Sequence, residues 1–113
     1  MRKVLLLLII LASSSLSAQL GKAELGDYCG DDHASPSRQI QKGLQALNKG
    51  DYPNAGVYIG AALRQNEADQ HALYLRGEWA MRTGKFPVAE GSWKRLVKRC
   101  PGYKPDLLFF IAT

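Results

Sequence analysis

Gly84-Lys85-Phe86-Pro87-Val88-Ala89 decides the fold, because Gly50-Asp51-Tyr52-Pro53-Asn54-Ala55 has already spelled the same pattern. Glycine, aromatic, proline and alanine recur at 50 and 84, 52 and 86, 53 and 87, and 55 and 89, an offset of 34 each time. Gly43 with Gly77 and Ala46 with Ala80 keep that offset. A fixed period of this size points to stacked supersecondary units, each leaning on the next to bury its apolar side.

Working outward, residues 36–69 form a first unit, 70–103 a second, and 104–113 the start of a third or a capping helix. Ser35-Pro36 reads as an N-cap with proline in the first helical turn. Ile40, Leu44 and Leu47 then follow at helical spacing until Gly50 stops the helix. Tyr52-Pro53 opens a second helix carrying Val57, Ile59, Ala62 and Leu63, and residues 66–69 connect to the next unit. There Ala72, Leu73, Leu75, Trp79, Ala80 and Met81 build one helix, and Ala89, Trp93, Leu96, Val97 and Cys100 line the next before Pro101-Gly102 ends it. The fold class is therefore all-α. Gly43 and Gly77 each cost about 1 kcal/mol in helix propensity relative to alanine. That cost is explained if a large residue of the neighbouring helix fills the space, with Ala55 and Ala89 keeping that helix slim and Tyr52 and Phe86 plugging the ends.

Gly43, Gly50, Tyr52, Ala55 and Ala62, then Gly77, Gly84, Phe86, Ala89 and Pro101, together resemble the tetratricopeptide repeat (TPR) family over residues 36–103. Gln39, Lys42 and Arg76 depart from the family's apolar preferences, and Glu67 stands where Pro101 stands one repeat later. The resemblance implies an α-solenoid of antiparallel helix pairs, two repeats and a truncated third, whose groove is lined by the first helix of each pair. By that mapping Gln41, Leu44 and Asn48 of one repeat, and Tyr74, Glu78, Met81 and Arg82 of the next, would hold an extended peptide through its backbone or carboxylate. The competing expectation is that these are ordinary exposed side chains.

Ahead of the repeats, Arg2-Lys3, an apolar run over residues 4–12 and the small residues 13–18 have the three regions of a secretory signal peptide. The run falls short of the roughly 20 apolar residues a spanning helix needs, so residues 1–18 are expected to be cleaved and the protein exported to a periplasm or beyond, without stable membrane insertion. Cys29 stands too far from the run to be a lipid-attachment site. Residues 19–35 read as an irregular leader. Removing Arg2 and Lys3 from 15 basic residues leaves 13 against 10 acidic ones, a mild net +3. Neither that charge nor export suits nucleic-acid binding. In an oxidising compartment Cys29 and Cys100 either bridge, or remain separate thiols with Cys100 packed in the core.

Asp27, Cys29, Asp31, Asp32 and His33 mix hard and soft ligands, but no second His/Cys pair at zinc spacing accompanies them, so no metal or other cofactor is assigned. His71 reads as a solvated residue near a helix start. Neither a nucleophile motif around Cys29 nor a flanked carboxylate pair supports catalysis, and a non-enzymatic reading follows. Lys94, Arg95, Lys98 and Arg99 share one face opposite Trp93, Leu96, Val97 and Cys100, as a solvated exterior or a surface for an acidic partner. The apolar close at Leu107, Phe109 and Phe110 either folds back as a cap or joins a second copy as a homodimer. The functional expectation is a protein–protein interaction module, an adaptor or assembly factor of the cell envelope. The alternatives are a permanent structural subunit of a larger envelope complex and a small metal-binding exported protein.

Overall fold

The structure, a computed structural model, describes residues 21–30 and 35–108. They form α1 (Arg38–Asn48), α2 (Tyr52–Gln65), α3 (Gln70–Arg82) and α4 (Phe86–Arg99), with no strand among the described residues. Residues 106–108 open a further helical turn. The expected signal peptide, and Asp31, Asp32, His33, Phe109 and Phe110, lie outside the described residues. No helix of the described residues is long and apolar enough to cross a membrane.

α1 begins later than the sequence suggests. Ser37, not Ser35, is its N-cap, with Oγ accepting from the Ile40 N–H at 3.2 Å, and Pro36 stays outside the helix. The Ser-Pro-Ser stretch offers two caps, and the one used sits three residues before Ile40, the first buried residue of the helix.

The 34-residue offset reappears in the backbone. α2 and α4 begin at 52 and 86 and end at 65 and 99. Gly50 and Gly84 take φ of +78° and +77°, a left-handed conformation that a side chain would strain. Just after them the Asp51 N–H donates to the Ala46 carbonyl at 2.9 Å, and the Lys85 N–H to the Ala80 carbonyl at 2.7 Å. The proline at the start of α2 and of α4 loses no helical hydrogen bond there.

α1 packs on α2, α3 on α4, and α3 also on both α2 and α1. A Cβ added at Gly43 would meet Ile59 at 3.2 Å, and one added at Gly77 would overlap the indole of Trp93. Ile59 and Trp93 are themselves 34 residues apart, so the same small-against-large contact is made twice, each time with a bigger knob facing the smaller side chain. The Trp93 Nε1–H donates to the Tyr74 carbonyl at 3.2 Å, which leaves the indole no polar group to strand. Leu47, Leu73, Leu75 and Leu96 complete the buried interior.

Two sequence expectations fail here. Val57 is 63% exposed, because it points about 200° around α2 from Ile59. Phe86 plugs nothing and is 57% exposed. Tyr52 is sheltered because α3 follows and brings Trp79 against that end of α2, its Nε1–H donating to the Tyr52 carbonyl at 2.9 Å; no helix among the described residues follows α4 in that way. Leu107, which the sequence offered either as part of a folded-back cap or as a dimer contact, is buried in the chain's own core.

Gly77→Ala should therefore destabilise the protein by about 1–3 kcal/mol through overpacking against Trp93. Gly91→Ala, where a Cβ meets nothing within 4 Å on the surface of α4, should stabilise it by up to about 1 kcal/mol. Urea denaturation of the two variants reads both signs.

Candidate functional site

Asn48 and Arg82, two of the residues mapped to the groove, both hold one segment of the same chain. Residues 21–30, which have neither helix nor strand, run as a strap across α1 and α3. Asn48 at the end of α1 grips the strap's main chain with both halves of its carboxamide. Its Oδ1 accepts from the Ala23 N–H at 2.7 Å and its Nδ2 donates to the Ala23 carbonyl at 3.0 Å. Gln70 at the start of α3 does the same to Cys29, at 2.8 and 3.0 Å. Arg82, at the far end of α3, donates through Nη2 to the Gly21 carbonyl at 2.9 Å. The strap thus runs against the direction of α3, its residue 21 at one end of the helix and its residue 29 at the other.

Helical geometry explains the row. Gln70, Tyr74, Glu78 and Arg82 are spaced by four and form one stripe of α3. The Tyr74 hydroxyl donates to Glu78 Oε1 at 3.1 Å, and Glu78 pairs with Arg82 at 3.5 Å, so each polar group is held by the next. Burial raises the Tyr74 hydroxyl's pKa above the ordinary phenol value; Glu78 adds to this, and a backbone hydrogen bond from Glu24 of the strap opposes it. Met81 and Leu44 are half-buried against the core, and the Gln41 side chain turns back to the Pro36 carbonyl at 3.0 Å.

The strap also buries apolar surface. Ala23 is 4% exposed within the core, Leu25 packs against it, and Gly26 passes so close to Tyr103 that any Cβ would overlap the Tyr103 carbonyl. That carbonyl accepts from the Asp27 N–H at 3.0 Å. Tyr28 stacks at a tilt on His71, with ring centroids 5.0 Å apart, and His71 and Tyr74 both abut Tyr103 at 5.6 Å. The strap ends in a Cys29–Cys100 disulfide, which ties it to the residue after α4. Residues 21–30 are thus a fastened part of the fold, and no group of three or more metal-ligating side chains is found among the described residues.

His71 corrects a further expectation. It is buried, not solvated, and its Nδ1 lies 2.7 Å from the Tyr103 hydroxyl. Desolvation lowers its pKa below the ordinary value, with Asp69 pulling weakly the other way. Gln70 and Tyr103 were missed in the sequence. Extending the Tyr74, Glu78, Arg82 stripe one turn backward reaches Gln70; nothing in the sequence marks Tyr103.

The arrangement holds an extended backbone by paired amide contacts, and it does so on residues of its own chain. Comparison with known proteins finds no matching family model, no matching curated protein and no matching solved structure.

Opening the disulfide, which closes a loop of 71 residues, should cost about 2–4 kcal/mol of stability. Urea melts with and without reductant, beside the Cys29→Ser/Cys100→Ser double variant, check this. For His71 the neutral form is favoured in the fold, whereas the unfolded chain takes up a proton near pH 6.5. Stability from this group is therefore complete above that value and is lost as pH falls below it. His71→Asn, which keeps an acceptor in reach of Tyr103, should flatten the decline in melting temperature between pH 7 and pH 5 relative to the parent protein.

Proposed function

We propose that the chain is a TPR-like protein-interaction module, exported and working as an adaptor or assembly factor of a cell envelope. The helices are read as antiparallel pairs in a short solenoid. Supporting this are the shared 34-residue offset of α2, α4 and both glycine turns, and the packing of α3 on both preceding helices. The observation that carries the function is the grip of Asn48 and Gln70 on main-chain N–H and C=O groups. Carboxamides on a rigid helix face bind an extended peptide without regard to its side chains. The Cys29–Cys100 bridge supports export, since such bonds persist in oxidising compartments. The reading is a non-enzymatic one.

A second reading has its own observation. The groove is filled by the chain's own strap and closed by a covalent bond, which favours a permanent subunit of an envelope complex over an adaptor that exchanges groove ligands. Both readings require a protein neighbour. A photoreactive amino acid placed singly at Gln41, Val57 and Lys98, all exposed, should give a discrete heavier adduct in the native envelope from at least one position. An exported, folded protein that yields no adduct from any of the three overturns both readings. An adduct that still forms, unchanged, when the disulfide is reduced before irradiation favours the permanent subunit.

A further inference from the structure

With its groove already occupied, the chain keeps a second concavity open. α3 presents Gln70, Tyr74, Glu78 and Arg82 to the strap, but Arg76 and Trp79 lie about 150° further round the helix. They form the floor of a crevice of about 500 Å³ between α2 and α4. Ile59 and Leu63 supply its apolar wall, and Arg64 of α2 and Arg95 of α4 stand at its sides. A smaller recess of about 230 Å³ against Pro87 and Val88 adjoins it, with Arg76 and Arg95 lining both.

The cations of this cleft are uncompensated. Among the described residues the ion pairs are Glu78–Arg82 and Glu90–Lys94, and neither involves Arg64, Arg76 or Arg95. Glu67 lines the cleft, but it gives Arg95 its backbone carbonyl, at 3.3 Å, rather than its carboxylate. Arg76 is half-buried, where an unpaired guanidinium is harder to accommodate than in open water. Its flat fork suits a carboxylate better than an ammonium would. Glycines keep the walls low: Gly56 lies against the Trp79 ring, Gly91 has nothing within 4 Å, and Gly60 faces only Arg64 Nη1 at 3.8 Å.

We infer that this cleft docks an acidic segment of a partner protein, its carboxylates on Arg76 and Arg95 and an apolar side chain beside Ile59, Leu63 and Trp79. The occupant being a protein segment rests on the protein-interaction reading above; the site and its charge preference do not. The probe is a fluorescein-labelled peptide, Glu-Glu-Leu-Gly repeated three times, titrated with the oxidised protein by fluorescence anisotropy. Saturable binding is expected, weakening as salt rises. Arg76→Glu and Arg95→Glu should each reduce affinity about tenfold or more. Arg99→Glu, the same charge change on the exposed end of α4 outside the cleft, should alter it less than about twofold. Circular dichroism melts establish that the variants fold, and Arg76→Gln, which removes charge without reversing it, should fall between parent and Arg76→Glu.

An equal loss for Arg99→Glu would reduce the effect to general positive charge and overturn the inference. So would equal affinity for the peptide with Lys in place of Glu, or binding to phosphatidylglycerol vesicles with none to the peptide. A protein that gives an envelope adduct but ignores the acidic peptide would leave the interaction reading standing and sink this one.

Discussion

A pair of helices is too thin to bury its own apolar side, and every larger feature of this chain answers that constraint. α1 and α2 cover one another only partly, so α3 packs on both. The close approach is possible because Gly43 and Gly77 offer hollows that Ile59 and Trp93 fill. Two such pairs remain small for a stable core, since the share of surface a chain buries falls with its size. The strap supplies what is missing: Ala23 and Leu25 add apolar cover, and the disulfide removes freedom from the unfolded chain.

Covering that side created a polar problem and solved it with the same residues. An extended segment laid on helices brings main-chain donors and acceptors out of water with no ladder to pair them. Asn48 and Gln70 meet this by offering one donor and one acceptor each, matched to the N–H and C=O of a single strap residue. Arg82 and the Tyr103 carbonyl take further main-chain groups. Among the described residues no buried side-chain nitrogen or oxygen is left without a partner. Affinity for extended backbone is therefore a structural requirement of this fold as much as a recognition property.

How much of this was written in the sequence depends on whether the cause is local. Gly50 and Gly84 are legible because a left-handed turn demands glycine wherever the chain goes afterwards. Helix bounds follow from the prolines at 53 and 87 for the same reason. Asn48, Tyr74, Glu78 and Arg82 were reachable through the repeat mapping, which assigns positions to a face. Their occupant was not, because what Asn48 recognises in Ala23 is main chain, and main chain is the same at every residue. His71 was misread since its burial depends on Tyr28 and Tyr103, which are distant in sequence. Phe86 was misread because equivalence in a repeat holds only where the neighbouring repeat is equivalent too.

The departures from the repeat pattern then acquire a meaning that the pattern itself lacks. Arg76 stands where the resemblance calls for an apolar group, and a half-buried cation there weakens the packing of α3 on its neighbours unless something compensates it. No carboxylate among the described residues does so. Glycine at 60 and 91 likewise gives up packing and helix propensity on the walls above it. Both losses fall on the same cleft, and neither falls on the groove under the strap, where the polar stripe of α3 is fully paired. One face of α3 is thus spent on holding the chain to itself, while the opposite face carries unmatched charge beside an apolar wall. A second molecule is the simplest way for such a surface to reach the satisfaction that the strap gives the first.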